Sequence, residues 1–330
     1  MPQNNNFNKN SLYSIIIKPN KSFMKRKHFL QHSLLAGGSL LTAGLNATPL
    51  GKQMENNTDK PFNLNYGFHD GMFANHAGKD FLDQIRFAYD KGFRSIEDNG
   101  MMGRSADMQS KIGDLLAKLG MTMGVFVLGF DNWPPHTTLT SGSKEWNEKF
   151  LNACNKSVDV AKRCNAKWIT LVPGNFTRDI SVGLQTANVI VALRKGCAII
   201  EPHNLIFVLE PLSDTPDLFL RNSDQTYAIC KAIDSASCKI LFDMYHMQRN
   251  EGNIINNIDS YYDEIAYFQI GDNPNRNEPY TGEMNYHNIF KHIHQKGYKG
   301  VMGMEHGLSE KGKEGELTLI KAYRDADNFR

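Results

Sequence analysis

The chain has 330 residues, with 37 Lys and Arg against 35 Asp and Glu and a formal charge of +2. A balance of that kind excludes a generally basic nucleic-acid surface and an anionic-membrane surface, and points to small-molecule partners. The length accommodates one large α/β barrel or two ordinary domains, and the expectation below is a single barrel.

Residues 1–23 are rich in Asn and Lys and begin no periodic pattern, so we read them as a disordered or untranslated extension, the start being Met1 or Met24 accordingly. From Met24 a basic stretch leads into the mildly apolar Ser33-Leu-Leu-Ala-Gly-Gly-Ser-Leu-Leu-Thr-Ala-Gly-Leu45, which ends in small residues near Ala47. That is the architecture of an export signal over residues 24–47. It is too short and too Gly-rich to make a stable membrane span. Arg26-Lys27-His28-Phe29-Leu30-Gln31 resembles a twin-arginine motif with Lys in the second basic place. We therefore expect an exported, periplasmic protein, with a basic tail on a cytoplasmic enzyme as the alternative. Residues 48–60 read as a polar linker.

From Pro61 onward short apolar runs alternate with longer helical patterns, the sign of a parallel sheet with crossover helices. Eight strands are expected: Phe62–Phe68, Phe93–Glu97, Met121–Leu128, Lys167–Val172, Leu205–Glu210, Lys239–Asp243, Ile265–Ile270 and Val301–Glu305. The helices between them include Lys79–Lys91, Asp107–Leu119, Trp146–Cys164, Val182–Glu201, Ser223–Ser235 and Asn285–Lys296, and Gly92, Gly120 and Gly297 stop three of these. No G-x-G-x-x-G follows the first strand, so an open dinucleotide-binding sheet is disfavoured. The fold class is α/β, a (β/α)8 TIM barrel in a single domain over residues 61–330. The five cysteines, Cys154, Cys164, Cys197, Cys230 and Cys238, show neither C-x-x-C spacing nor an even count, and read as reduced, structural thiols.

Four strand ends carry oxygen-bearing side chains: Glu210, Asp243, Gln269 and Glu305. Their separations of 33, 26 and 36 residues are each about one βα unit, of order 30 residues. In a barrel of parallel strands, all carboxyl ends open at one face, so these residues converge on one pocket. Three carboxylates in one pocket repel unless a cation neutralises them, and an all-oxygen set suits Mg²⁺ or Mn²⁺ better than zinc. The plainer reading of Glu210 or Asp243 alone is a helix cap or loop acid. His69 and Glu97 end early strands and are candidates to line the same pocket.

The runs Leu209-Glu210-Pro211-Leu212, Phe242-Asp243-Met-Tyr245-His246-Met-Gln248, Gln269-Ile-Gly-Asp-Asn-Pro274-Asn-Arg276-Asn-Glu278-Pro279-Tyr-Thr-Gly282-Glu283 and Gly303-Met-Glu305 together resemble hydroxypyruvate isomerases and their relatives among the xylose-isomerase-like barrels. The resemblance covers nearly everything from residue 61, and its last third is the specific part. It implies Glu210, Asp243, Gln269 and Glu305 as ligands of one divalent metal, with Gln269 where many relatives carry His. It also implies that Glu210 and Glu305 move protons while His246 and Arg276 hold substrate oxygens. The early segments, such as Glu97-Asp-Asn-Gly-Met-Met-Gly103, follow the family pattern loosely.

The activity expected is a metal-dependent isomerase or epimerase acting on hydroxypyruvate or a sugar through an enediolate. For His246 the plainer reading is a structural histidine, and for Arg276 a solvated loop charge. Rival readings are a metal-dependent hydrolase or lyase of the endonuclease-four-like barrel type, and a non-catalytic exported carbohydrate-binding barrel. The expected partner is a small carbohydrate or hydroxy-keto acid, with no nucleic acid; homo-oligomerisation stays open.

Overall fold

Eight apolar runs become eight parallel strands that close into a barrel: β1 (Asn65–Phe68), β2 (Ser95–Ile96), β3 (Thr122–Val127), β4 (Ala166–Leu171), β5 (Ile206–Leu209), β6 (Cys238–Asp243), β7 (Ile265–Gln269) and β8 (Val301–Gly303). The computed structural model describes residues 58–329; the expected extension, the export segment and most of the linker lie outside them. Strand β8 returns to β1 with Asn65 opposite Val301 and Gly67 opposite Gly303, so no sheet edge is left to pair elsewhere. The expected strands are all present; β1 and β6 end where expected, β4 and β6 begin one residue earlier, and in every strand but β1 and β6 the last expected residues turn out of the ladder. Glu97 and Glu210 each follow the final strand residue, and Glu305 lies two beyond β8.

The helices are α1 (Ala74–Ala77), α2 (Phe81–Asp90), α3 (Ala106–Leu119), α4 (Lys144–Cys164), α5 (Val182–Ile200), α6 (Ser223–Ile233), α7 (Met244–Asn250), α8 (Ile254–Tyr261), α9 (Tyr286–Gln295) and α10 (Gly312–Ala326). Asp80, Ser105, Ser143 and Ser181 cap α2 to α5 by accepting from backbone N–H groups of the first turn. Gly120 ends α3 in the left-handed conformation, as its position suggests. Asn165 and Asp234 do the same for α4 and α6, a role that their side chains tolerate better than most.

Four helices were not foreseen. Helix α10 starts at Lys311 with no side-chain cap and carries Gly312 and Gly315 in its first turn, so it announces itself weakly. Helices α7 and α8 are short, and α7 grows straight out of β6 with no loop between them. The apolar pattern of Met244, Tyr245 and Met247 hides that switch of period.

The core has two parts. Val125, Val208, Leu241, Tyr267 and Val301 fill the inside of the barrel. A much larger cluster lies between strands and helices, where Ile240 and Phe242 alternate outward while Leu241 points in. All five cysteines are buried free thiols, and Cys154 is pushed up to about 12, chiefly by burial.

Phe93 sits at the centre of an aromatic group beneath β1 and β2, with ring centroids 4.8 Å from Phe62, 5.5 Å from Phe73 and 6.4 Å from Tyr323. It is fully buried. Truncating such a ring removes its transfer energy and leaves a cavity that surrounding rings cannot close. Phe93→Ala should therefore lower the unfolding free energy by about 3–5 kcal/mol, read as a shifted urea midpoint at unchanged slope.

Candidate active site

Strands β5 to β8 deliver Glu210, Asp243, Gln269 and Glu305 to one mouth of the barrel. One oxygen from each of Glu210, Asp243 and Glu305 and a ring nitrogen of His246 all lie within 4.8 Å of one another. Asp243 does two things. Its Oδ1 accepts the Tyr245 N–H at 2.8 Å and caps α7, while Oδ2 faces the cluster. The cap and the cluster thus use different oxygens of one carboxylate. Because α7 begins there, His246 comes round one turn later on the same side.

Arg276 comes from the loop between β7 and α9, which Asp272 braces by accepting the N–H groups of Gly282 and Met284. Its backbone is left-handed, at φ 54°, unusual for a long side chain and maintained here by that bracing. The guanidinium lies between the carboxylates: Nη2 is 3.2 Å from Asp243 Oδ2 and 2.7 Å from Glu305 Oε2, and Nε donates to the Glu305 carbonyl at 3.0 Å.

His246 is fully buried, and the Ser213 main-chain N–H points at its Nδ1 from 3.2 Å. The Ser213 hydroxyl is 2.8 Å from the same nitrogen, and Arg276 Nη2, which can only donate, lies 3.1 Å from Nε2, so both ring nitrogens face N–H donors. Nε2 is also 3.4 Å from Asp243 Oδ2 and 4.0 Å from Glu210 Oε1. Burial lowers the histidine's pKa despite the opposing pull of Asp243.

Burial also raises both glutamates. Glu305 is pushed up to about 7 by desolvation and by Asp243, against the pull of Arg276. Glu210 is driven well above the carboxylate range by burial and then by Glu305 and Asp243. Among the described residues no hydrogen-bond donor reaches the Glu210 carboxylate. Burial and the neighbouring carboxylates thus disfavour the ionised form of both glutamates.

His69 and Glu97 lie on the other side of the mouth. Glu97 is fully buried and accepts from Tyr267 Oη at 2.8 Å and from Gln269 Nε2 at 2.5 Å. His69 Nε2 is 3.2 Å from Glu97 Oε1, without the alignment of a hydrogen bond. Burial opposes the charged form of His69, but Glu97 outweighs it and raises the pKa. Neither residue lines the cavity of about 290 Å³ over the cluster.

Asn99, Trp133, Thr170 and Asp214 do line that cavity, and the sequence reading did not single them out. Asn99 donates to Glu305 Oε1 at 2.9 Å while its own oxygen is buried without a partner, as is Thr170 Oγ1. Asn99 follows the expected end of β2 by two residues, and Thr170 is the last but one of β4, so strand-end position was the signal available. A cleft of about 350 Å³ outside the barrel, beside Asn253 and Asn288, contains a single carboxylate, Glu283.

A divalent ion fits the arrangement. The cluster offers three carboxylates with the His246 ring beside them, and Gln269 Oε1, at the end of the neighbouring strand, is a buried acceptor with no partner; carboxylate and amide oxygens are hard donors suited to such an ion. A buried acceptor without a donor, on the residue paired with Asp243, is a group that a cation would satisfy.

A model of the family described as xylose isomerase-like TIM barrel matches residues 85–323. Hydroxypyruvate isomerase of Escherichia coli strain K12 is 28% identical over 247 residues, 74% of this chain and 94% of that protein. A 2-oxo-tetronate isomerase of Cupriavidus necator is 26% identical over 257 residues, 76% of this chain and 95% of that protein. Among solved structures, a 3-keto-D-glucoside 4-epimerase of Escherichia coli has a TM-score of 0.68 at 18% identity, covering 79% of this chain and 99% of that one.

The raised Glu305 pKa makes stability depend on pH. Between its ordinary 4.5 and about 7 the unfolded chain has shed this proton while the folded chain keeps it. Each step up in pH across that window therefore favours unfolding. In EDTA-treated protein the melting temperature should fall as pH rises from about 4.5 to about 7, with the raised Glu210 adding to the fall in the same direction. Arg276→Met, which removes the group that holds the acid down, should extend the fall to higher pH.

Proposed function

The chain belongs to the xylose isomerase-like TIM barrel family, and from that premise we propose that it is a divalent-metal-dependent isomerase or epimerase of a small hydroxy-carbonyl compound, hydroxypyruvate or a sugar. The observation that carries the reading is the pair Glu210 and Glu305, two buried carboxyls raised above their ordinary range on one cavity, beside Asp243 and the partnerless Gln269 oxygen. The isomerase names of the two curated relatives support the same class.

Both reactions begin by removing a weakly acidic C–H proton next to a carbonyl. One glutamate takes the proton and the other returns it, and a carboxyl near pH 7 balances the two protonation states that such work needs. Glu210, Asp243, Gln269 and Glu305 would hold the ion. When bound, it supplies electrostatic stabilisation to the charge that develops on the substrate oxygens. His246 presents its Nε2 edge to a substrate oxygen, with Ser213 holding the ring at Nδ1. Arg276, braced by the Glu305 carbonyl, holds a second oxygen or a carboxylate through its forked donors. Val127, Val172 and Leu212 give the cavity an apolar wall that keeps water from the reacting carbon. Export through residues 24–47 is part of the proposal, on sequence grounds.

Glu210→Gln and Glu305→Gln should each lower turnover by about 10²–10⁴-fold while circular dichroism and melting temperature stay near those of the parent. Chelation should abolish turnover reversibly. Incubation with ketoses, aldoses and hydroxypyruvate in D₂O with Mn²⁺ or Mg²⁺ should place deuterium on one carbon, seen by NMR. Wild-type turnover in either glutamine variant would sink the two-glutamate scheme, and silence across the panel would favour a hydrolase or a binding protein.

A further inference from the structure

We infer that Glu97 is a positioning residue for the metal site: from across the barrel it turns the Gln269 amide so that its oxygen, not its nitrogen, faces the cluster. The inference rests on the metal reading above, and it deepens it by naming a group that governs affinity without touching the ion.

An amide has two ends of nearly equal size, and either can point into a cavity. With the nitrogen end inward, N–H hydrogens would face a cation and no lone pair would be offered. What decides is the partner on the far side. Glu97 Oε1 takes the Gln269 Nε2–H at 2.5 Å, which commits the nitrogen outward and leaves Oε1 buried and without a partner. The free oxygen thus results from a specific hydrogen bond.

Glu97 is itself held. Its Oε2 accepts from the Tyr267 hydroxyl at 2.8 Å. That hydroxyl in turn faces the Val125 N–H at 3.3 Å, so its own proton has only the carboxylate to go to. The chain of donors runs in one direction: Val125 to Tyr267 to Glu97, met from the other side by Gln269.

Geometry makes this reach possible. Glu97 follows β2 and Gln269 ends β7, with β1 and β8 between them around the barrel. A side chain can cross only where the intervening strand leaves room. At Gly303 of β8 an added methyl group would land on the Glu97 carboxylate and lie 3.1 Å from Gln269 Cγ. At Gly124 of β3 it would land on the Tyr267 hydroxyl. Two buried strand glycines therefore clear the path of one hydrogen-bond chain. A role in stability alone would ask for Glu97 to be satisfied, but not for the Gln269 oxygen to be left open.

The test is a titration of the full chain with Mn²⁺, with free ion read by electron paramagnetic resonance and melting temperature recorded beside it. Glu97→Gln removes the preference, because the new amide can accept or donate; Mn²⁺ should bind about 10–100-fold more weakly. Tyr267→Phe loosens Glu97 and should cost less, about several-fold, and it decides the matter if the first variant does not fold. On a Gln269→His background the loss caused by Glu97→Gln should shrink sharply. An imidazole there keeps one lone pair for the ion and gives its N–H equally well to a carboxylate or an amide oxygen. A purely structural role for Glu97 would not show that dependence on the residue at 269. A wild-type chain that takes up no Mn²⁺ would remove the metal reading and this inference together. A wild-type chain that binds Mn²⁺, with variants that bind it equally, would remove only the inference.

Discussion

Negative charge brought together out of water is the constraint around which this barrel mouth is built. Glu210, Asp243 and Glu305 are set close by the closure of the sheet, and closure leaves them no way to move apart. Among the described residues Arg276 is the cation that meets them, touching Asp243 and Glu305 but leaving Glu210 without a donor. The imbalance appears in the raised pKa values of both glutamates. A site fully neutralised by arginine would be a stable ion-pair network with little chemistry in it. One left short of positive charge is costly to fold, and that cost is what a bound cation would relieve.

The same mouth has two sides with different duties. On the β5–β6 side, Ser213 and the cap of α7 orient His246 and Asp243 by main-chain geometry, which no rotamer change can undo. On the β2–β7 side, orientation depends on side chains: Glu97, Tyr267 and the glycines that give them room. Tyr267 belongs at once to the apolar filling of the barrel and to the polar chain above it. Its ring packs against Trp168 with centroids 5.7 Å apart, so packing inside the barrel is mechanically joined to the aim of Gln269.

Much of this was legible in the sequence because it rests on short-range patterns. Alternating apolar runs and helical periods specify a βα repeat, eight of them specify a closed barrel, and closure alone brings distant strand ends to one face. Asp243 shows how far this goes. Reading it as either a ligand or a cap set up a choice that its two oxygens do not have to make. The missed helices, α1, α7, α8 and α10, are short or weakly capped, and local signals of that strength are outvoted by tertiary packing.

By itself, then, the sequence determined the fold class, the convergence of Glu210, Asp243, Gln269 and Glu305, and the nearness of His246 and Arg276 to them. The first two and the place of His246 follow from periodicity or from where a strand stops, and the place of Arg276 from the family resemblance of its loop. Only the tertiary structure decided which way each group points. The His246 ring is held at Nδ1 by Ser213, 33 residues earlier; the Gln269 amide by Glu97, 172 residues earlier; the arginine's grip on two carboxylates by a loop held in left-handed backbone at Arg276. Hydrogen bonds are directional and their partners come from elements far apart in the chain. A reading along the chain can place a group at the site, while its orientation depends on neighbours that only the closed barrel provides.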